Sequence, residues 1–529
     1  MIRSSFAGFT TARLGLSASQ SALNITGQNI TNINTTGYTR QRVDLSSFNL
    51  SSRDKFSSIS DTYIGNGVLV TGTSQIRDPF LDVRYRTEIA NVGYHDEKLK
   101  VMEDLASVLD EVTKDGIHTQ IGNLATALQR LSTEVGNQEF DNIVRSECQS
   151  LTNLFNRYAK QLETVREDTI NSIQDIDIPA VNKILESISD LNKTIRSNQL
   201  HGNPSLELLD QRNLLIDELA TYTKIKVEYS TEKVPNSNIE LDRLSISLVG
   251  KSGNLTLVDH DNVAKLNCDA NADGTVTLKY SYSNPDKGIA IANHPITNES
   301  VSGILKATVE MLNCNGEFDT DATSPKGIGY YQKMLDTLAN TFAEILNIAN
   351  QYTDTNGNVI IGDLFATNDG STKITAKNIC IHNDWASNLR GMIPTQNNDQ
   401  KPVGASDNIL HMISLLNTKH TYHTYTTEYT DTAGDPQTRT LFKGTFEECF
   451  VSIGSALALD QISSTSSFEN YSSVVNDISN SRDSISGVSL DEEGINLLQY
   501  QKSYTAAARL MTTLDEAMDV LLNMGVVGR

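Results

Sequence analysis

No stretch of the 529-residue chain approaches the ~18 consecutive apolar residues that a bilayer-spanning helix needs, so no membrane insertion is expected. The N-terminus also lacks an apolar h-region with a small-residue cleavage site. A Sec signal peptide is therefore not expected, and a protein of this kind that leaves the cell leaves by another route. The five cysteines, Cys148, Cys268, Cys314, Cys380 and Cys449, stand alone, with no CxxC pair. Such spacing excludes a zinc ribbon, gives no support to a disulfide framework, and suits small buried apolar residues. Basic residues are outnumbered 43 to 65, for a net charge of -22, which argues against a general nucleic-acid binder.

Chemistry is lacking as well. There is no GxSxG, no HExxH and no phosphate-cradling glycine loop. The stretch Asp269-Ala270-Asn271-Ala272-Asp273-Gly274 opens like a calcium-binding loop, but its twelfth position is Tyr280, where a bidentate Glu is needed. A hairpin turn is the expectation there. His420 and His423 could chelate across a turn, yet no Asp, Glu or Cys stands beside them at ligand spacing. Paired acids such as Glu447-Glu448 and Glu492-Glu493 read as solvated or capping charges. The expectation is a protein without metal, cofactor or catalytic residue.

What the chain does have is concentrated at its ends. Ile2, Phe9, Leu16, Leu23 and Ile30 recur every seven residues. So do Leu490, Leu497, Tyr504, Met511 and Met518, and beside them Tyr500, Ala507, Leu514 and Leu521. The second pair of columns has the spacing of a coiled-coil seam, although amphipathic helices packed on local cores show similar stripes. Met1 to Val43 carries Arg3, Arg13, Arg40 and Arg42 and no acid, whereas Leu490 to Arg529 is rich in Asp and Glu. The signs favour pairing, so the two ends are expected to meet each other or copies of themselves. Ser489-Leu490-Asp491-Glu492 reads as a capping box opening the last helix, and Gly525 as its stop.

Between the ends, length suggests about three to four domains. The expected class is α+β: mainly helical, with terminal coiled-coil helices, a central helical bundle and an inserted β-rich domain. Residues 1–75 and 487–529 are read as the terminal assembly domain with a β-like connector, including a strand after Gly65-Asn66-Gly67. Residues 76–223, 300–352 and 400–486 are read as the bundle. Within it, Leu99, Met102, Leu105 and Leu109 mark one face, and Ile121, Leu124, Leu128 and Leu131 another. The longest helix is expected over Glu139 to Asp177, with a seam of Leu151, Phe155, Tyr158 and Leu162 that reaches Ile173 and Ile176. Pro179 should end it. Separate helices are expected at Thr445 to Ser464 and after Phe468. Period-two alternation marks 224–299 as β-rich, and Asn356-Gly357 opens a hairpin-rich stretch at 353–399.

Asn29-Ile30-Thr31-Asn32-Ile33-Asn34-Thr35-Thr36-Gly37-Tyr38-Thr39-Arg40-Gln41 resembles the N-terminal motif of bacterial flagellar rod, hook and hook-associated proteins. Val488 to Glu493, with Asp491, Glu492 and Glu493, followed by Asn496-Leu497, Tyr500-Gln501, Tyr504 and Ala508-Arg509, is similar to their C-terminal motif. Two further blocks, Ile76-Arg77-Asp78-Pro79-Phe80-Leu81-Asp82 and Asp363-Leu364-Phe365, resemble the hook-associated branch. The resemblance implies a non-enzymatic junction between hook and filament, exported unfolded by the flagellar type III apparatus. Its implied partners are the hook protein, a second hook-associated protein and copies of itself in a helical ring. A cytoplasmic export chaperone would bind the C-terminal helix beforehand. It further implies assembly contacts through Phe9, Leu16, Leu23, Ile30, Leu497, Tyr500, Tyr504, Met511, Leu514, Met518 and Leu521, with the terminal seams unpaired before assembly. A hook protein, or a secreted adhesin or enzyme carried on axial termini, is the alternative.

Overall fold

The computed structural model describes residues 5–48, 67–109, 116–234, 240–249, 254–353, 359–396, 404–424 and 438–526. The Gly65-Asn66 and Asn356-Gly357 turns, and Ile2, lie outside the described residues.

Helix α1 (Ser5–Thr31) leads into an antiparallel hairpin of β1 (Gln41–Ser47) and β2 (Val68–Gln75). The bundle then begins with α2 (Pro79–Leu109), α3 (Ile117–Thr133) and α4 (Gln138–Asn171). Met102, Leu105 and Leu109 of α2, the four apolar residues of the α3 face, and Leu151, Phe155, Tyr158 and Leu162 of α4 are all buried. Each such side chain removed from water contributes roughly 1.5–3 kcal/mol.

Pro179 does not break the chain's helical course. A π-helical turn, Ser172–Asp177, joins α4 directly to α5 (Ile178–Leu200), with the Ile178 amide bonded to the Ile173 carbonyl. The wider turn absorbs the pyrrolidine ring, which needs no hydrogen bond at the first turn of α5. It also rotates the register, so Ile173 is buried while Ile176, expected on the seam, is 63% exposed.

After α6 (Leu206–Tyr222) come six strands, β3 (Ile225–Lys233), β4 (Glu240–Leu248), β5 (Leu255–Asp259), β6 (Asn262–Ala270), β7 (Val276–Asn284) and β8 (Ile289–Pro295). They form one antiparallel meander in sequence order. Asn182 of α5 docks the sheet by giving its amide to the Leu266 carbonyl and accepting from the Leu266 N–H (2.8 and 2.9 Å). The sheet's inner residues, among them Ile246, Leu266 and Tyr280, belong to the same continuous apolar core as the helices. The calcium-like stretch is the β6–β7 turn: Gly274 has φ +77° and Asp273 accepts from the Thr275 N–H and hydroxyl.

The chain returns through α7 (Gly303–Asn313) and α8 (Ile328–Ala349). Two small hairpins follow, β9 (Gln351–Thr353) with β10 (Val359–Ile361) and β11 (Phe365–Thr367) with β12 (Ile379–Ile381). Next are α9 (Asn383–Ala386), α10 (Asp407–Asn417) and the pair β13 (His420–His423) and β14 (Thr440–Gly444). His420 Nε2 lies 2.7 Å from the Leu415 carbonyl, and among the described residues no three potential metal ligands cluster.

The longest helix is α11 (Phe446–Ser486), 41 residues where two helices were expected. Its serine-rich middle stays helical because it packs along α2, where Gln461 donates to the Met102 carbonyl, and hydroxyls such as that of Ser467 are satisfied by bonding back to carbonyls one turn earlier. Helix α12 (Leu490–Val526) closes the chain.

The clearest helix start is also relocated. Thr445 and Glu448 form a reciprocal capping box on α11, whereas at α12 the Glu492 N–H is 3.5 Å from Ser489 Oγ and the Glu492 carboxylate turns elsewhere. Thr445→Ala is expected to cost about 1 kcal/mol in urea unfolding and Ser489→Ala only a few tenths. The π-turn supplies a second test. Burial, with Glu97 alongside, pushes the Asp177 carboxyl up to about 6, and its Oδ2 has no hydrogen bond. The folded state then holds this proton more tightly than the unfolded chain does. That contribution is fully present below about pH 4 and is lost as pH rises through about 6. Asp177→Asn should therefore be more stable than the parent at about pH 7, the difference vanishing near pH 4 in chemical denaturation.

Candidate functional site: the terminal helix pair and its root

Helices α1 and α12 lie side by side and antiparallel, since Gly8 faces Leu514 and Gly15 faces Ala507. A Cβ placed on Gly8 would come 3.1 Å from Leu514 Cδ1, and one on Gly15 3.6 Å from Ala507 Cβ. The same stripe continues through Ala12, Ser19, Ala22, Thr26 and Asn29, all buried, at alternating steps of three and four. The seam of α1 is thus made of small residues, set one position away from the expected column. Phe9, Leu16, Leu23 and Ile30 are half-buried flanks beside it. Small residues win the central place because they let two helix backbones approach closely, where Phe and Leu would hold them apart. On another side α1 meets the β hairpin, with Gly67 against Thr11.

On α12 the residues Tyr500, Ala507, Met511, Leu514 and Met518 are half-buried. Leu490, Leu497, Tyr504 and Leu521 are exposed by 59, 37, 38 and 58%, so the pair covers only part of the expected columns. Ile495, Leu498, Leu510, Val520 and Leu522 are exposed too, so α12 keeps large apolar side chains in water near its start and again toward its end. Of the two expected pairings, the ends with each other or with copies, the structure has the first: each end covers part of the other within one chain, and the apolar side chains named above stay uncovered.

The root of the pair is polar. Asn29, buried, acts like a strand neighbour to Gln41, donating to its carbonyl (2.9 Å) and accepting from its N–H (3.1 Å). The Tyr38 hydroxyl donates to the same Asn29 oxygen at 2.9 Å. Burial, with Glu207, Asp210 and Glu493 nearby, pushes the Tyr38 phenol above its ordinary range and keeps it a donor. Asn32 anchors the intervening turn through Gln28 and Thr35, Asn34 is exposed, and Gly37 (φ +77°) lies against Leu214. The left-handed backbone there favours glycine, which adopts it without a Cβ penalty. Arg40 spans the gap to α12, its Nε 2.8 Å from Glu493 and its Nη1 2.6 Å from Glu492; Asp491 remains exposed in the first turn.

A second layer below joins the root to the bundle. Arg77 pairs with Asp82, Arg482 bridges Asp82 (3.1 Å) and Asp217 (2.8 Å), and Asp217 also holds Arg86 (2.6 Å). The sequence counted Arg40 among the basic charges expected to favour pairing of the two ends, offered Arg77 and Asp82 only as motif letters, and gave no sign of Arg86, Asp210, Asp217 and Arg482. Arg482 and Asp82 are hundreds of residues apart, so no spacing could couple them. The structure offers hydrogen-bonding and packing surfaces here, with no nucleophile–base pair.

Known proteins match this arrangement from end to end. The family described as flagella basal body rod protein matches residues 9–39, and that of the flagellar basal body rod FlgEFG protein C-terminal matches 480–524. The two matched segments are the two sides of the helix pair, and they mark the chain as a flagellar axial protein. The middle, residues 102–365, matches the helical domain of the flagellar hook-associated protein FlgK. The chain belongs to the hook-associated protein 1 family and is a structural component of the flagellum, not an enzyme. It is 29% identical over 548 residues to flagellar hook-associated protein 1 of Bacillus subtilis (strain 168), covering 99% of this chain and all of that one. It is 24% identical to the Escherichia coli (strain K12) protein of the same name, over 97% of this chain and 98% of that one. The solved flagellar hook junction protein FlgK from Burkholderia pseudomallei aligns with 54% of this chain and 46% of its own, at 20% identity and a TM-score of 0.41.

The small-residue seam predicts an asymmetry between neighbours. Gly15→Leu should force α1 off Ala507 and accelerate amide exchange along α12 by about tenfold or more, whereas Leu16→Ala should change it little. Exchange measured by mass spectrometry on the full chain distinguishes the two.

Proposed function

We propose that the protein is the hook-proximal junction between hook and filament, built into the flagellum through an assembly unit formed by residues 1–75 and 487–529. The observation that carries this reading is the set of large apolar side chains on α12, Ile495, Leu498, Leu510, Val520, Leu521 and Leu522, left exposed after the termini have paired. Apolar side chains left in water in this number on one helix call for a neighbour. Copies of the chain set side by side with a rotation that does not close would cover them in a helical array. Leu497 and Tyr504 would join those contacts, while Phe9, Leu16, Leu23, Ile30, Tyr500, Met511, Leu514 and Met518 stiffen the pair from inside.

The hook protein on one side and a second hook-associated protein on the other are the remaining structural partners. Before export through the flagellar type III apparatus, a cytoplasmic chaperone would shield the same side chains of α12. The helical middle, α2 to α8, favours a hook-associated protein over a hook protein.

Cells without this protein should make hooks that carry no filament and shed flagellin into the medium, as seen by electron microscopy. The full chain should restore filaments. A chain lacking Leu490 to Arg529 should keep a folded middle and fail to incorporate. Normal incorporation of that truncation at the hook tip would overturn the assembly reading.

A further inference from the structure

A cavity of about 670 Å³ opens between the end of α3, the first turns of α4, the β9–β10 hairpin and residues 388–395 ahead of α10. None of the residues proposed for assembly lines it. Leu131, Val135, Met392, Ile393 and Ile409 give it apolar walls, while Asn388, Arg390 and Gly391 are exposed at its mouth. Among the described residues its charged lining is Asp141, Arg145 and Arg390, a positive surplus on a chain of net charge -22. A volume of this order, apolar walls and a few convergent polar groups are the marks of a small-molecule site.

The polar group that sets the chemistry is Arg145, on α4 one turn after Asp141 and only 9% exposed. Its Nη2 lies 2.7 Å from Asp141 Oδ2, and its guanidinium carbon lies 5.9 Å from the centre of the Trp385 ring. Arg145 Nε is buried without a hydrogen bond, and so is the indole nitrogen of Trp385 behind it. Buried N–H groups almost always have an acceptor, so two without one at the same wall need an explanation. Arg390 brings a second guanidinium to the mouth, its Nη2 2.6 Å from Asp384. Donors in surplus call for acceptor oxygens, and a guanidinium bonds a carboxylate more strongly than a neutral acceptor.

We propose that this cavity binds a small organic acid with a short apolar body. The carboxylate accepts from Arg145 Nε in the field of Arg390, and the hydrocarbon or aryl part lies against Leu131, Val135, Met392, Ile393 and Ile409. Water alone would satisfy the Arg145 N–H but would leave those five walls wet, whereas an amphiphilic acid satisfies both. Asp141 keeps one arm of the Arg145 fork and fixes its plane, so the site is set before the ligand arrives. The inference goes beyond the junction role and stands or falls separately from it, since it concerns a ligand of the single chain.

Trp385 is the one tryptophan of the chain, so its fluorescence reports on Arg145 without a label. The full chain is titrated with phenylbutyrate and with octanoate, and in parallel with the neutral amide of each. At least one acid should shift the Trp385 emission saturably, with a midpoint of about a millimolar or below, and its amide should bind about tenfold more weakly or worse. Because a substitution at Arg145 alters the emission by itself, the variants are compared by titration calorimetry. Arg145→Met should abolish the preference for acid over amide, with helical circular dichroism unchanged. Arg145→Lys, which keeps the charge and loses Nε, should lose about tenfold in affinity and serves if the methionine variant fails to fold. No saturable response to either acid would overturn the proposal, as would equal binding of acid and amide or unchanged affinity in the Arg145 variants.

Discussion

Two helix backbones that stand at opposite ends of 529 residues lie against each other through a seam of glycine, alanine and serine, and the rest of the architecture follows from that close approach. The pair cannot form locally. The middle must first bring Thr31 and Leu490 within reach, which it does by running α2 and α11 antiparallel, Asp82 beside Arg482 and Met102 beside Gln461. Closing so long a loop costs only slightly more than closing a short one, and a folded middle removes most of that cost in advance. Once the ends meet, the small residues are covered, the larger ones flank, and the surplus apolar surface of α12 points outward.

The molecule uses two kinds of cohesion in two places. From Val101 to Leu457 it is held by one apolar core that the sheet shares with the helices. Toward the termini that core gives out and directional contacts take over: Asn29 on Gln41, Arg40 on Glu492 and Glu493, Arg482 between two aspartates. Apolar packing tolerates little angular change, because interiors are packed as densely as crystals.

Much of the middle was legible because its signals are periodic and large. Leu151, Phe155, Tyr158 and Leu162 spell a helix face, and the alternation Leu244-Ser245-Ile246-Ser247-Leu248 spells a strand. The family motifs at the termini were readable for the same reason, as fixed letters at fixed spacing. What escaped shares a physical cause. The true seam of α1 consists of residues that hydropathy patterns pass over, so the heptad of Phe9 and Leu16 was taken for the centre when it is the edge. Pro179 and the serines of α11 are helix breakers by propensity. Here a π-turn and packing along α2 overrode them. The ionic layer at the root joins residues from three helices and the connection before α2, and only the folded chain brings them together.

The strap at residues 487–489 also has a mechanical reading. Helix α11, about 60 Å long at the usual rise per residue, is anchored in the core at its start and hands the chain to α12 at its end. A pull applied along α12 therefore passes first into the contacts of α11 with α2 and α6, Arg482 on Asp82 and Asp217 and Gln461 on the Met102 carbonyl, and then into Phe446, Cys449, Phe450 and Ile453, all buried. The sheet stands outside that route. A subunit wired in this way takes a pull on its tail along the axis of α11 while its flank stays slack.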